Sequence, residues 1–487
     1  MRAILVSVSL LWASSALALP PNIIFVVADD LTACWLGDYL TDPATSAKCN
    51  AEAGPTPALD LMADEGVMIA GAWGFPVCSP FRAAALAGTL PRQNGVGHAF
   101  NIENPQGRYG LRASDPNLAR ALAAGGYHTN LIGKWHLADS EQTLAEQLAH
   151  PINMGFVEAT GLVSQVNKSA VGYHTGNDVG GVDYEDWESC DFAAGTCEQE
   201  TTYNTTKLID DAIVAIGAMS EPWFLYLPLQ APHTPVSVPP SDLFTPDAEC
   251  DGDEGAPDEP YACYRAMTEA MDTELGRLRA AHDSSDTIFI FTADNGSVLT
   301  TANATNSDWV EGCKDSVYEC GLWVPLIVTG PGIPVNETAD ILVSAPDWHA
   351  TILDMAGVEN DHGGSDSGMW PTRAGQPYVY RSESFWPNLQ DTSLAASRRC
   401  IYTESFNRDT TTGERKNWIE AVRSDTRKLM LWHGFAGGPD EYVYWDTDNI
   451  YERDGTELAQ SGDEYEFLLN ALATMNDGNV GDACRRR

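Results

Sequence analysis

Short apolar runs rich in β-branched residues alternate along this chain with stretches of helical periodicity. The run over residues 22–28 is typical of a buried central strand, and four further strands are predicted at residues 126–133, 223–229, 287–292 and 324–328. Helical stretches precede three of these strands, at residues 117–124, 206–219 and 264–281. Strands that alternate with helices indicate a mostly parallel, doubly wound sheet. We therefore predict an α/β fold built on a large mixed, mostly parallel sheet flanked by helices.

The alternation of strands and helices weakens after residue 375. Residues 418–432 and 442–445 are typical of short antiparallel strands, and residues 465–475 of a closing helix. The acidic segment at residues 247–259 and the segment at 360–375 are predicted loops. We expect one large domain over residues 19–375 and a smaller α+β domain, built on a short antiparallel sheet, over residues 376–487.

Polar residues follow several of the predicted strands, at the edge where open α/β sheets bind ligands. They are Asp29, Asp30, Lys134, His136, His233, Asp294 and Asn295. Adjacent carboxylates repel each other unless a cation or hydrogen-bond donors compensate, so the Asp-Asp pair has two interpretations, a metal site or a turn with a helix N-cap. Asp294-Asn295-Gly296 repeats this pattern after the predicted strand at residues 287–292, which favours the metal site. Oxygen ligands without His or Cys favour Ca²⁺ or Mg²⁺ over Zn²⁺.

The first residues have the pattern of a secretory signal peptide. Arg2 precedes an apolar stretch, and Ala16-Leu17-Ala18 forms a small-residue cleavage site. We expect residues 1–18 to be a cleaved signal peptide, with an uncleaved signal anchor as the alternative. No later run is long and apolar enough to span a bilayer, so no stable membrane insertion is expected after cleavage. The predicted location is the secretory pathway, ending outside the cell or in a lysosome- or vacuole-like compartment.

The eleven cysteines are an odd number, which leaves one unpaired in an oxidising compartment. Their spacing suggests five bridges as a hypothesis: Cys34–Cys49, Cys190–Cys197, Cys250–Cys263, Cys313–Cys320 and Cys400–Cys484. Under that hypothesis the unpaired cysteine is Cys78.

The charge balance excludes several classes of partner. Lys and Arg number 28 against 69 Asp and Glu, which gives a formal net charge of −41. Polyphosphate would be repelled, so a general nucleic-acid binder is excluded, and docking on anionic membranes is disfavoured. A small anion in a locally basic pocket remains compatible with this charge.

The segment Cys78-Ser79-Pro80-Phe81-Arg82, followed by an Ala-rich helical stretch and Gly88-Thr89, resembles the C-x-P-x-R signature of the type I sulfatases, within the alkaline phosphatase superfamily. For this motif alone, a structural cysteine in a turn is the alternative. Further segments resemble that family in the same order along the chain. They are residues 133–138 (Gly-Lys-Trp-His-Leu-Ala), 231–235 around His233, 313–325 around Lys314, 346–354, 423–430 and 444–451.

The resemblance implies an alkaline phosphatase-like fold and a set of site residues. Cys78 would be converted to Cα-formylglycine by a formylglycine-generating enzyme, and its hydrate would attack the sulfur of a sulfate ester. The implied ligands of a divalent cation, Ca²⁺ before Mg²⁺, are Asp29, Asp30, Cys78, Asp294 and Asn295. The implied catalytic residues are Arg82, which orients residue 78, Lys134 and Lys314 on the sulfate or leaving oxygen, His136 as base and His233 as proton donor. Phe81, Cys320 and Trp323 depart from the family pattern around the site.

The layout of residues 229–240 and the short C-terminal domain most resemble the arylsulfatase B group, which implies a sulfated small molecule or sulfated carbohydrate as substrate. Trp35, Trp73, His98 and Trp386 are candidates for a sugar pocket, with core packing as the alternative for each tryptophan. Two other functions stay open: a phosphonate or phosphate ester hydrolase of the same superfamily, and a catalytically silent protein that binds sulfated glycans. A cysteine hydrolase has no supporting spacing.

Overall fold

The computed structural model of the chain describes residues 20–42, 54–99, 110–139, 142–162, 187–234, 236–245, 250, 260–282, 285–297, 313–359, 382–408, 415–434, 439–446, 458, 460–476 and 484. The predicted signal peptide, the predicted loop at 360–375 and, except for Cys250, the predicted loop at 247–259 lie outside these residues. The predicted domain boundary at residue 376 also lies outside them and stays a prediction.

Within the described part of the chain, ten strands form the main sheet. They are β1 (Asn22–Ala28), β2 (Val67–Trp73), β3 (His128–Lys134), β4 (Glu158–Leu162), β5 (Trp187–Asp191), β6 (Thr196–Glu200), β7 (Trp223–Pro228), β8 (Thr287–Ala293), β9 (Leu326–Thr329) and β10 (Glu337–Ser344). Their order across the sheet is β10-β2-β9-β8-β1-β7-β3-β4-β5-β6. Every residue of β1 is buried, as expected for a central strand covered on both faces.

The centre of this sheet is parallel and its periphery is mixed. Strand β1 runs parallel to β7 and β8, and β3 runs parallel to β7 and β4. Strand β9, predicted at 324–328, runs antiparallel to both β8 and β2. Strand β9 is therefore one of the strands that make the sheet mixed. The predicted large mixed, mostly parallel sheet is confirmed.

The described residues also form helices. They are α1 (Gly37–Thr41), α2 (Pro57–Asp64), α3 (Cys78–Ala87), α4 (Pro91–Asn94), α5 (Leu118–Ala124), α6 (Leu144–Asn153), α7 (Asn204–Ala218), α8 (Pro260–Ala280), α9 (Glu319–Leu322), α10 (Asp347–Met355), α11 (Trp386–Gln390) and α12 (Asp463–Asn476), with a short 3₁₀ turn at Ala33–Trp35. Asn117 caps α5, because its side chain accepts the backbone N–H of Ala119 at 2.9 Å. Helix α3 ends at Gly88, whose φ of 66° suits glycine.

A second sheet of four antiparallel strands follows, in the order β11 (Ile401–Arg408), β12 (Arg415–Arg423), β13 (Arg427–Trp432) and β14 (Glu441–Asp446). The predicted strand region at 418–432 is therefore two strands joined by a turn. Helix α12 packs against β12 and β13. The small sheet meets the main body through an apolar cluster: Trp73, Val317, Leu322, Leu342, Ile401, Ala421 and Met430. The predicted antiparallel sheet and closing helix are confirmed.

The cysteines pair largely as the spacing suggested. The bridges Cys190–Cys197, Cys250–Cys263, Cys313–Cys320 and Cys400–Cys484 are present. Cys34 is disulfide-bonded as well, and its predicted partner Cys49 lies outside the described residues. Cys78 is free and buried, as the odd count required.

The three tryptophans that were candidates for a sugar pocket differ in their exposure to solvent. Trp35 and Trp73 are buried in the core, so core packing is the correct interpretation for both. Trp386 is half-buried at the start of α11. Among the described residues, no helix is long and apolar enough to cross a membrane.

Candidate active site

Three neighbouring parallel strands bring their trailing residues together at one edge of the sheet. Asp29 and Asp30 follow β1, His233 follows β7, and Asp294 and Asn295 follow β8. Backbone bonds fix these turns to one another: the N–H of Asp29 donates to Ala231 O at 3.2 Å, and the N–H of Asp294 donates to Ala28 O at 3.0 Å. Parallel strands place their carboxyl ends at the same edge, which is why residues separated by more than 200 positions meet here.

Helix α3 points its first turn into this edge. Cys78 is its first residue, and its Sγ lies 3.3 Å from Asp29 Oδ1. Pro80 fits because backbone N–H groups in the first helical turn have no intrahelical acceptor. Arg82, four residues after Cys78, lies on the same face of the helix. Its Nη2 donates to Asp294 Oδ2 at 2.7 Å and its Nη1 to the carbonyl of Lys134 at 3.0 Å. The C-x-P-x-R spacing is thus that of one buried helical turn.

Two lysines neutralise the aspartates that follow β1. Lys134 Nζ is bonded to Asp29 Oδ2, and both side chains are inaccessible to solvent. Lys314 Nζ lies 2.5 Å from Asp30 Oδ1. Asn295 adds a third donor, since its Nδ2 lies 2.6 Å from the same oxygen of Asp30. The three predicted basic side chains, those of Arg82, Lys134 and Lys314, therefore each contact a predicted metal ligand.

The two histidines occupy different positions. His233 Nε2 lies 3.5 Å from Asp30 Oδ2, while its Nδ1 donates to the carbonyl of Thr234. His136 is buried with a φ of 56°, and its carbonyl accepts the hydroxyl of Ser79 at 2.8 Å. The ring of His233 therefore lies beside the carboxylates. The backbone of His136 contacts α3, and the predicted role of the His136 imidazole as a base stays a prediction.

The charged groups of the site shift one another's pKa. Burial raises the pKa of Asp29, but Lys134, His233, Arg82 and Lys314 outweigh it, and the result lies well below the usual value. Burial and the neighbouring Asp29 raise the pKa of Asp30 despite Lys314. Burial and Asp29 also raise the pKa of Asp294, to about 6, against the opposing effect of Arg82. Three carboxylates therefore compete for ionisation in one buried space.

The thiol and the imidazole are held neutral in this environment. Burial and the charge of Asp29 raise the pKa of Cys78 to about 12. Burial and the positive charge of Lys314 lower the pKa of His233 well below its usual value. A thiol nucleophile needs a thiolate and an adjacent base, and the neighbour of Sγ here is a carboxylate. This geometry disfavours a cysteine hydrolase.

Potential metal-ligand atoms gather in this site, and they include the Cys78 sulfur and a His233 nitrogen besides carboxylate oxygens. Ligand atoms of Asp29, Asp30, Cys78 and His233 all lie within 4.8 Å of one another. Among the described residues, Asp30 Oδ2 and Asn295 Oδ1 are buried oxygens without a hydrogen-bond partner. Buried acceptors normally find a partner, and oxygen donors are those that Ca²⁺ and Mg²⁺ prefer. The structure therefore supports a possible metal site at Asp29, Asp30 and Cys78 and adds His233 to it, while the ligand roles of Asp294 and Asn295 stay predictions.

Three supporting residues were missed from the sequence. The hydroxyl of Tyr264, on α8, donates to the carbonyl of Asp30. Thr32 Oγ1 accepts the N–H of Ser297 and donates to Cys320 O, both at 2.9 Å. Ser79 binds the carbonyl of His136, as described above. Ser79 and Thr32 lie within three residues of a predicted ligand and were within reach of a local search, whereas nothing in the sequence near Tyr264 marks it.

Fold and site together define an α/β protein with a buried cluster of carboxylates, a possible metal site, and a cysteine held out of disulfides. The Sulfatase family model matches residues 21–358, which is most of the chain. The chain belongs to the sulfatase family.

A curated relative is the N-acetylgalactosamine-6-sulfatase of Sus scrofa. It is 31% identical over 358 residues, which cover 70% of this chain and 63% of the relative. The chain thus spans less than two thirds of the length of this relative. The closer likeness to the arylsulfatase B group stays a prediction.

Solved structures of similar fold cover nearly the whole chain. A putative sulfatase, yidJ, from Bacteroides fragilis has a TM-score of 0.69 at 17% identity, covering 96% of this chain and 98% of its own. BT4656, solved with its substrate D-glucosamine-2-N,6-O-disulfate, has a TM-score of 0.63 at 19% identity, covering 95% and 99%. The phosphonate monoester hydrolase of Agrobacterium radiobacter has a TM-score of 0.61 at 20% identity, covering 94% and 95%. These matches confirm the expected alkaline phosphatase-like fold.

Proposed function

We propose that this protein hydrolyses sulfate esters and releases inorganic sulfate, using a formylglycine made from Cys78 and a divalent cation, Ca²⁺ before Mg²⁺. The observation that carries the proposal is the position of Cys78. It is the free cysteine among the described residues, and it starts a helix whose next turn supplies Arg82 to the same buried cluster.

Charge counting supports an anionic substrate. When ionised, Asp29, Asp30 and Asp294 contribute −3, and Arg82, Lys134 and Lys314 contribute +3, so these six groups cancel. A divalent cation would leave the pocket with a charge of +2 inside a chain of net charge −41. A positive pocket closed to water is the environment that stabilises charge developing on a sulfate ester. The global acidity is therefore compatible with a small anionic group in this pocket.

The cation would be held by Asp29, Asp30, Asp294, Asn295 and residue 78. When bound, it would neutralise the competing carboxylates and draw electron density from sulfate oxygens. The aldehyde of formylglycine would supply, as its hydrate, a hydroxyl nucleophile that thiol chemistry cannot replace. Both groups suit the site. The cation would give Asp30 Oδ2 and Asn295 Oδ1 a partner, and the formylglycine would replace a thiol that its raised pKa keeps protonated.

The side chains of the chain itself would bind and orient. Arg82 is immobilised by Asp294 and by the carbonyl of Lys134, so it would hold residue 78 in a fixed direction. Lys134 and Lys314 would contact the sulfate and the leaving oxygen. The His233 ring is fixed through its Nδ1–H, so Nε2 carries no proton in the neutral ring and would give one to the leaving oxygen only from the imidazolium form, which a bound anion would favour. His136 would take the proton of the hydrate during release of sulfate.

Maturation would have to precede folding. Cys78 has no accessible surface, and every residue of α3 is buried. A formylglycine-generating enzyme would therefore reach the thiol only in an unfolded or nascent chain. This requirement is compatible with the proposed route through the secretory pathway. Its oxidising environment would also allow the four described disulfides to form.

The proposed substrate is a sulfated carbohydrate or a sulfated small molecule. The relative named above is an N-acetylgalactosamine-6-sulfatase, which supports a sulfated amino sugar. His98 is the sugar-pocket candidate that lies near the site, with its Nε2 at 2.9 Å from Asp315, the residue after Lys314. We propose that His98 contacts the alcohol portion of the substrate.

Parallel rate measurements on 4-nitrophenyl sulfate and phenyl phosphonate test the reaction class. The matured protein is expected to favour the sulfate ester, because the relative with which it shares 31% identity is a sulfatase. A higher specificity constant for the phosphonate would replace this proposal with the phosphonate hydrolase alternative. The Cys78→Ala variant is the control: it is expected to lose at least about a thousandfold in kcat while keeping its melting temperature.

Mass spectrometry of the peptide that carries residue 78, taken from the native host, separates an enzyme from a silent glycan-binding protein. The proposed enzyme is expected to carry the aldehyde, which is lighter than the thiol form. An unmodified thiol in all native material would argue against formylglycine catalysis.

A further inference from the structure

The segment 313–323, here called the bridge loop, contacts several of the turns that surround the site. Lys314 comes from this loop. Its backbone hydrogen bonds reach residues that follow β1, β2 and β8, and Pro76 before α3: Lys314 N to Ser297 O (3.3 Å), Asp315 N to Pro76 O (2.8 Å), Gly296 N to Gly321 O (2.9 Å), Gly74 N to Leu322 O (2.7 Å) and Ala33 N to Trp323 O (3.2 Å). Where this loop lies therefore decides where the Lys314 ammonium lies relative to Asp30.

The Cys313–Cys320 disulfide fixes the shape of the bridge loop but not its position. Both cysteines belong to the loop, so the bond joins the loop only to itself. Packing at Gly296 is so close that a Cβ there would come within 1.9 Å of the Cys320 carbonyl oxygen. A small displacement of the loop would therefore disturb the turn that carries Asp294 and Asn295.

Glu319, in the middle of the bridge loop, binds the C-terminal sheet. Its Oε2 accepts from Arg423 Nη1 at 2.8 Å, and its Oε1 accepts from Lys428 Nζ at 3.2 Å. Trp73 Nε1, at the end of β2, lies 3.1 Å from both carboxylate oxygens. These four residues, here called the Glu319 cluster, are all buried.

The two cations also pack on the indole. Arg423 Cζ lies 5.6 Å and Lys428 Nζ lies 5.2 Å from the Trp73 ring centroid, within the range of cation–π contacts. One carboxylate thus joins the bridge loop to β12, β13 and β2 at once. Charge-assisted bonds in a buried environment are strong and directional, so they restrict where Glu319 can lie.

We propose that the Glu319 cluster is a positioning device for Lys314, so that the C-terminal sheet sets the geometry of the anion pocket without contributing a group to it. Glu319 acts through the bridge loop and does not touch the substrate. The kinetic half of this inference rests on the proposed sulfatase function, whereas its structural half does not.

The test uses Glu319→Gln in the full-length, matured protein. Its matched control is Glu404→Gln, which also removes a buried carboxylate. Glu404 lies on the C-terminal sheet and binds Arg92, away from the bridge loop. Hydrogen exchange of peptides covering 313–323 reports the loop position, and thermal-shift titration with inorganic sulfate reports the pocket without turnover. Lys428→Met, which keeps the Arg423 bond, replaces Glu319→Gln if that variant fails to fold.

Glu319→Gln is expected to speed exchange in the bridge loop at least tenfold and to weaken sulfate binding about tenfold, whereas Glu404→Gln leaves both within twofold. In a double-mutant cycle, Glu319→Gln is expected to add little to the loss of sulfate affinity and kcat caused by Lys314→Ala, because both changes disturb the same contact. Additive losses, or wild-type exchange in the bridge loop, would overturn the inference. If the wild type hydrolyses no sulfate ester, the proposed function fails, and the exchange comparison still decides the positioning role.

Discussion

Two buried charged clusters in this protein are built in opposite ways. In the candidate active site, three carboxylates crowd together and two buried oxygens have no hydrogen-bond partner among the described residues. In the cluster formed by Arg92, Glu404 and Glu420, the guanidinium bonds both carboxylates: Nε lies 3.0 Å from Glu404 Oε2, and Nη2 lies 3.0 Å from Glu420 Oε1. The first arrangement leaves bonding capacity for a ligand, and the second uses it to join α4 to the C-terminal sheet.

The difference shows what each cluster contributes to the free energy of unfolding. Breaking a satisfied buried ion pair leaves a charge without compensation, which is strongly destabilising. Removing one of several competing carboxylates relieves repulsion, which is why functional sites often reduce stability. The arrangement of buried charges therefore distinguishes a functional cluster from a structural one more clearly than the mere presence of buried charges.

The largest expected contrast comes from neutralising one carboxylate in each cluster. Glu404→Gln should lower the unfolding free energy by about 3 kcal/mol, because the buried Nε–H of Arg92 loses its charged acceptor, although Glu420 still binds Nη2. Asp294→Asn should cost the chelator-treated protein less, because burial and Asp29 raise the pKa of Asp294 to about 6 despite its bond to Arg82, so its charge adds little to folding. Urea unfolding at neutral pH measures both. An equal loss in the two variants would remove the distinction between the clusters.

A smaller effect is expected from adding the cation. Ca²⁺ at a hundredfold excess over its Kd should raise the unfolding free energy by about 2.7 kcal/mol. The increase should vanish in Asn295→Ala, which removes a proposed ligand, and persist in Glu404→Gln. Parallel titrations with Mg²⁺ identify the preferred ion. Stabilisation of Asn295→Ala equal to that of the wild type would contradict the ligand role of Asn295.

A further expected effect depends on pH and concerns Asp272, a buried carboxylate that is hydrogen-bonded and yet has a raised pKa. It accepts the N–H groups of Leu59 at 2.8 Å and Ala58 at 3.0 Å at the start of α2, yet burial raises its pKa to about 7. The folded protein therefore retains this proton at pH values where the unfolded chain has lost it. Stability relative to Asp272→Asn should fall as pH rises from about 4 to about 7, by at most about 1.4 kcal/mol per pH unit, and level off above.

Thermal or urea unfolding of wild type and Asp272→Asn across this pH range measures the difference, in which the other titrating groups largely cancel. A difference that does not change with pH would show that Asp272 is ionised in the folded protein throughout the range.

Local sequence patterns were enough to predict much of the fold and many residues of the candidate site. Buried strands followed by polar residues located Asp29, Asp30, Asp294 and Asn295, because such residues have few other reasons to follow an apolar run. Cysteine parity and spacing isolated Cys78. The direction of β9 was not part of that pattern, since a short apolar run has the same composition in either direction. Tyr264 and the Glu319 cluster escaped because their partners come from distant segments of the chain.

The sequence by itself determined the chemical groups: a free cysteine four residues before an arginine, oxygen ligands after buried strands, and lysines in recognisable segments. Only the tertiary structure decided that these groups meet, that two oxygens remain without partners among the described residues, and that Glu319 joins the C-terminal sheet to the bridge loop. The physical reason is range. Helical spacing and strand ends are local properties of a sequence, whereas desolvation and ion pairing depend on which distant segments pack together.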